Sequence, residues 1–198
     1  GAWGAVNDDS RRMTDSDWLV ANREDWSDRS IHRTKLDHGY MLDANAEFPL
    51  ALSDVFAVAP MVGFKFDNWR WIDENFQYVN SVNGWRDEQG IVEGPAITYQ
   101  QWFFTPYVGL SLGAHYAGFS LDAYARGSLW GWAKDKDQHH LRDITFTMDV
   151  DEVHYHGLGV ALSYAFTERF SAGLAYDYQE YSMTKGSPTI EDRGAGTV

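Results

Sequence analysis

The chain has 198 residues, no cysteine and a formal net charge of −13. That length supports one domain with a sizeable core, and the missing thiols exclude a disulfide scaffold and a thiolate metal site. The acidity excludes nucleic acid as a partner, because phosphates would be repelled, and favours a basic one. Aromatics make up 16% of the residues, yet no apolar run approaches the roughly 20 residues that a membrane-spanning helix needs. The chain is therefore soluble or crosses a membrane as strands. Its start, Gly1-Ala2-Trp3-Gly4, lacks the basic and apolar blocks of a signal peptide and reads as the interior of a longer protein.

The first informative stretch is Met13-Thr14-Asp15-Ser16-Asp17-Trp18. If it is extended, side chains alternate faces and the two carboxylates point the same way. Two carboxylates on one face repel, so one can hold a proton near neutral pH, which suits binding or activating a water.

Period-two alternation then recurs along the chain. Tyr40, Leu42, Ala44, Ala46, Phe48, Leu50 and Leu52 share a face opposite Met41, Asp43, Asn45 and Glu47. Val108, Leu110 and Leu112 oppose Gly109, Ser111 and Gly113, and Phe119, Leu121, Ala123 and Ala125 oppose Ser120, Asp122, Tyr124 and Arg126. Leu158, Val160 and Leu162 oppose Gly157, Gly159 and Ala161, and Ala172, Leu174, Tyr176 and Tyr178 form a last stripe. Leu52-Ser53-Asp54, Tyr116-Ala117-Gly118 and Thr167-Glu168-Arg169 are short turns, whereas residues 76–92, 134–144 and 182–194 are polar and read as longer loops.

Short turns at one end and long polar loops at the other predict an all-β, antiparallel up-and-down barrel of the outer-membrane type. Trp69, Trp71, Trp102, Tyr107, Trp130, Trp132 and Tyr164 stand near strand ends, as an aromatic girdle requires. A soluble sandwich would carry charge on the face that here holds Gly, Ala and Ser. About seven strands are present, an odd number for a single-chain barrel. The chain thus reads as one barrel domain over residues 1–198 with strands missing at both ends, and such a piece is expected to be inactive alone.

The second acidic stretch is Lys134-Asp135-Lys136-Asp137-Gln138-His139-His140. Asp135, Asp137 and His139 share a face if it is extended, and a carboxylate beside an imidazole fixes its tautomer and raises its basicity. Counted along from Leu121, the three fall on the lipid side; a bulge near Gly127 or Gly131 would restore them to the interior. His140 is an alternative base. His154 and His156, with Asp149 and Asp151 nearby, lack further ligands at suitable spacing, so no metal site is predicted.

Met-x-Asp-x-Asp-Trp followed by Trp-x4-Asp-x-His resembles the omptin family of outer-membrane proteases. Ser30-Ile31-His32 stands where omptins carry Ser-x-His, and Ala44-Asn45-Ala46-Glu47-Phe48, Ala96-Ile97-Thr98-Tyr99-Gln100 and Pro106-Tyr107-Val108-Gly109-Leu110 are similar to the family's strand segments. The resemblance runs from about residue 11 to about 181.

It implies a closed ten-stranded barrel in the outer membrane of a Gram-negative cell, with an acidic groove facing outside. It implies an endopeptidase that cuts at or between basic residues without a covalent intermediate. In that scheme His139, paired with Asp137, takes a proton from the attacking water, and Asp15 and Asp17 hold that water from the opposite side. Asp135 receives the basic side chain at the cleavage point, and Ser30 and His32 line the groove. No cofactor is implied beyond lipopolysaccharide as an activator, and the expected form is a monomer acting on a basic peptide or protein.

Two departures stand out. The family's other carboxylate for basic side chains lies in first strands this chain lacks. Where omptins carry outward Arg for the lipid, this chain reads Gly63-Phe64-Lys65-Phe66-Asp67-Asn68 and Trp102. A non-catalytic barrel, such as a porin or an adhesin-like protein, explains the alternation equally well but not the order of the two Asp-bearing motifs.

Overall fold

The computed structural model describes residues 2–193, with the side chains of Trp3, residues 5–11, Glu74, Thr184 and Lys185 left aside. Among the described residues nine strands follow in chain order. They are β1 (Ala2–Asp17), β2 (Asp28–Glu47), β3 (Leu50–Ala51), β4 (Phe56–Asn80), β5 (Glu88–Glu93), β6 (Ile97–Tyr116), β7 (Phe119–His139), β8 (Ile144–Thr167) and β9 (Phe170–Asp192). The sheet order is β1-β2-β4-β6-β7-β8-β9, with the short β3 and β5 both paired to β4. Every pairing is antiparallel, so seven long strands form a meander, as the alternation requires.

The sheet curls on itself. Side chains 116 residues apart meet across the interior, where Lys65 Nζ lies 2.7 Å from the Tyr181 hydroxyl. Arg126 Nη1 lies 2.5 Å from Asp43 Oδ2, and the Tyr107 hydroxyl donates to Asp43 Oδ1 at 2.6 Å. The inner wall is thus polar and aromatic: Lys65, Asp67, Thr105, Tyr107 and Tyr155 are all buried. The outer wall is apolar, with Val62, Leu110, Leu158, Val160 and Leu162 each 43–52% exposed to what would be lipid. Leu112 joins them and Leu121 is half-buried on the same face, whereas Gly157 and Gly159 back onto the interior rings of Tyr155 and Tyr124. This is a barrel wall and not a sandwich.

Two expectations need correction. The stretches at 76–92, 134–144 and 182–194 are mostly strand: β4 runs to Asn80, β5 folds back on it, β7 reaches His139 and β9 reaches Asp192. Above the bilayer both faces meet water, so alternation fades while backbone pairing continues. The aromatic girdle is also smaller than expected. Trp102, Trp130 and Trp132 face outward, but Tyr107 is buried inside and Trp69 packs its ring against the inner face of Gly39. Trp71 shares that inner parity, lining a small cavity with Thr34 and Asp73.

The decisive local feature is a bulge in β7. Ser128 is buried, Leu129 and Trp130 are 62% and 63% exposed, and then Ala133 is buried again. Ser128 pairs with Tyr155 and Gly131 with Val153, so three β7 steps match two in β8. The same surplus appears against β6, where Phe104 pairs with Trp132 and Val108 with Gly127. The Trp130 amide donates to Ser128 Oγ at 3.1 Å and helps hold the kink. Two consecutive residues point outward there, which returns Asp135, Asp137 and His139 to the inner face.

Candidate functional site

The strand registers bring the two motifs to one end of the barrel. Asp15 pairs with Ser30 and Asp17 with Asp28, so these four line the inner face of the β1–β2 hairpin. Ser27, fully buried, holds that hairpin: its amide donates to the Asp17 carbonyl at 2.8 Å, and its hydroxyl lies 2.5 Å from Asp28 Oδ2. On the opposite side, His139 pairs with Ile97 and Ile144 at the top of β7.

A cleft of about 370 Å³ lies between, and Asp15, Asp17, Asp28, Ser30, His32 and His139 all line it. Asp137 stands behind His139, with 3.2 Å between its Oδ2 and the imidazole Nε2. Phe146 meets the His139 ring edge-on at 5.2 Å and fixes its tilt. The hydrogen bond to Asp137 raises the His139 pKa above its ordinary 6.5; burial opposes this, and the charges of Asp137 and Asp15 add to the rise. Asp17 is also raised, first by burial and then by the neighbouring Asp15, while Arg142 works the other way. The His139 imidazole therefore shares the cleft with the Asp15–Asp17 carboxylate pair.

Asp135 lies deeper and away from the cleft lining. It accepts from the Tyr99 hydroxyl at 3.2 Å, and burial raises its pKa. His140 turns away from the cleft: its Nε2 is 2.7 Å from Thr98 Oγ1, and its amide donates to the Ala96 carbonyl at 2.7 Å. With the bulge setting the parity of upper β7, His139 and not His140 opens onto the cleft.

Sequence reasoning missed Asp28, Arg142 and above all Asp73. Asp73 is in phase with Trp69 and Trp71, but nothing in β4 marks its partner, which is His32 on β2. His32 Nδ1 lies 2.9 Å from Asp73 Oδ2, and its Nε2 lies 2.7 Å from Ser30 Oγ. The imidazole stacks on Phe76 at 4.8 Å. Burial works against ionising Asp73, but hydrogen bonds from His32 and from the Ile97 and Ala96 amides outweigh it and lower the pKa. Those amides donate to Oδ1 at 2.8 and 2.6 Å. Among the described residues no cluster of His, Asp and Glu forms a metal cage.

An antiparallel meander with an apolar outer wall, a polar interior and an acidic cleft at one end defines an outer-membrane β-barrel. The chain belongs to the omptin family, whose model, described as "Omptin family", matches residues 1–198. It is 26% identical over 197 residues to the plasminogen activator of Yersinia pestis, covering 98% of this chain and 62% of that protein. It is 26% identical over 200 residues to the outer membrane protease OmpP of Escherichia coli strain K12, covering 98% of this chain and 64% of that one. The crystal structure of the outer membrane protease OmpT from Escherichia coli superposes with a TM-score of 0.84 at 25% identity, covering 99% of this chain and 68% of that one. The chain thus spans somewhat less than two thirds of the length of these two relatives. Its place is the outer membrane of a Gram-negative cell.

Proposed function

We propose that this chain forms the catalytic wall of an outer-membrane endopeptidase that cuts peptides at or between basic residues. The observation that carries the reading is the shared cleft: His139, backed by Asp137, opens onto the same space as Asp15 and Asp17. With Nε2 committed to Asp137, Nδ1 is the nitrogen that meets a water. As the water attacks the peptide carbonyl, its proton passes to His139, and the imidazolium that forms is stabilised by Asp137. Asp15 and Asp17 hold the water's other hydrogen and orient its lone pair. His139 then returns the proton to the leaving amine, so no bond to the protein forms.

The basic preference follows from charge. The chain carries −13 overall, and Asp28 and Glu88 join Asp15 and Asp17 around the cleft. A guanidinium against a carboxylate in a partly dry cleft gains about 2–3 kcal/mol as a charge-assisted hydrogen bond. Asp135, deeper in the barrel, is the carboxylate that would receive the side chain at the cut, with Ser30 and His32 flanking the peptide. Lipopolysaccharide is the proposed activator. Arg70, Lys134 and Lys136 lie on the outer wall level with or just above Trp102 and Trp132, where lipid phosphates would sit. The working form is a monomer.

The test is cleavage of a fluorogenic Arg-Arg peptide by the complete ten-stranded barrel that contains this chain, refolded in detergent with lipopolysaccharide. His139→Ala or Asp15→Asn should slow turnover at least ~100-fold. Unchanged turnover in His139→Ala, with the fold intact, removes the Asp–His mechanism. No cleavage by the lipopolysaccharide-loaded wild type favours the non-catalytic barrel.

A further inference from the structure

We propose that Arg86 is a positioning residue for the cleft: stacked between two tryptophans, it locks the loop that closes the β1–β2 hairpin and so fixes where Asp15 and Asp17 stand. Its effect on turnover rests on the peptidase reading, whereas the lock itself is read without any substrate.

The hairpin needs such a device. Asp17 and Asp28 are its last paired residues, and residues 18–27 continue beyond them without strand pairing. A hairpin end with few buried contacts opens readily. Here the loop between β4 and β5 reaches across it. The Arg86 guanidinium lies 3.4 Å from the centre of the Trp26 ring, and it donates to the Trp26 carbonyl from Nη2 at 2.7 Å and from Nε at 3.1 Å. Nη2 also meets Asp25 Oδ2 at 2.6 Å. Arg29 stands over Trp26 at 4.0 Å, and Arg86 and Arg23 each stand over Trp85 at 4.7 Å. The contacts thus run in one chain, Arg29–Trp26–Arg86–Trp85–Arg23, and a tryptophan face is the best aromatic seat for a cation.

The backbone carries the lock down to the carboxylates. Arg86 has a φ of 53°, a conformation that a residue other than glycine keeps only where its surroundings hold it. Its amide donates to Ser81 Oγ at 2.9 Å, and that hydroxyl donates to the Ser27 carbonyl at 2.8 Å. The Ser81 amide donates to Asp28 Oδ1 at 3.1 Å. Ser27 then grips the Asp17 carbonyl and the other oxygen of Asp28. Arg86 does not line the cleft, so it acts through Ser81 and Ser27 and touches no substrate. Precision is what the lock supplies. Asp15 and Asp17 must stand at a set distance from His139 on the far wall, and a displacement of about 1 Å in such a site can cost ~100-fold in rate.

The experiment uses the complete barrel that contains this chain and has two arms. In the first, amide hydrogen exchange is followed at Leu19, Ser27 and Arg86, whose amides donate within the lock. All three should be protected in the wild type and should exchange at least ~10-fold faster in Arg86→Ala. In the second, cleavage of the Arg-Arg peptide by Arg86→Ala should show kcat at least ~10-fold lower with KM within ~3-fold, because Asp135 stands on β7, beyond the reach of the lock. Arg86→Lys keeps the charge but loses the planar fork and the stack, so it should recover less than ~3-fold of that loss. Trp26→Leu added to Arg86→Ala should lower kcat by no more than ~3-fold further, since both changes break one stack. Wild-type exchange is read without any variant, so a variant that fails to refold leaves the test standing. Unprotected amides in the wild type, exchange unchanged in Arg86→Ala, a loss confined to KM, full rescue by Arg86→Lys, or losses that multiply in the double variant overturn the proposal. A wild-type barrel that shows the protection but cleaves no peptide overturns the peptidase reading and leaves the lock in place.

Discussion

Deleting single residues from β7 separates a bulge from an ordinary strand position. In the structure two β7 residues, Leu129 and Trp130, occupy one step of the neighbouring strands. Removing Leu129 leaves Ser128 inward, Trp130 outward and Gly131 inward, a regular alternation with every residue above it unmoved. The cost is one lipid-facing leucine and the geometry of the Trp130–Ser128 hydrogen bond, together about 2–4 kcal/mol at most. Removing Lys134, five residues on, turns Asp137 and His139 to the outside. The alternative, flipping the lower half of β7, would carry Arg126 to the lipid face and strand Asp43. The first of those costs about 2–4 kcal/mol and the second about 3–5, so the upper end, wet on both faces, is the part that yields. Peptide cleavage should therefore fall less than ~10-fold without Leu129, and by ~100-fold or more without Lys134, roughly 3 kcal/mol or more of barrier. Equal loss in the two deletions, in proteins that both refold, would refute the bulge as the device that aims His139.

Other outcomes follow from the same geometry. His140→Ala should leave peptide turnover within ~3-fold, against at least ~100-fold for His139→Ala, because His139 opens onto the cleft and His140 does not. The pH profile of kcat/KM should lose activity on acidification through a midpoint above 6.5, since protonated His139 cannot act as a base and Asp137 raises its pKa. Asp137→Asn should move that midpoint down. For stability the sign is opposite: the raised pKa stabilises the folded protein below pH 6.5, and this contribution disappears as pH rises through the folded-state value. Urea unfolding should then find Asp137→Asn more damaging at pH 5.5 than at pH 9. Gly63→Ala should destabilise the barrel by about 1–3 kcal/mol, measured by the same unfolding, because its Cβ would stand 2.4 Å from the buried Tyr107 ring.

The sequence by itself determined the class of fold and most of the cleft. Alternation is written wherever one face meets lipid and the other the interior, as in Leu158-Gly159-Val160, and Asp-x-Asp and Asp-x-His carry the same period of two. Above the bilayer that contrast of solvents vanishes, so the upper ends of β4, β7 and β9 looked like loops. The parity of His139 was open as well. Its only trace is the adjacent apolar pair Leu129-Trp130 between Ser128 and Gly131, and an adjacent pair signals a bulge only once the neighbours' register is known. His32 and Asp73 are 41 residues apart, and no spacing rule joins them. Their contact depends on two irregularities in the β2–β4 register, one of them between Arg33 and Thr34, beside the pair itself. A one-residue slip there turns Asp73 to the other face, so only the tertiary pairing of the strands could decide it.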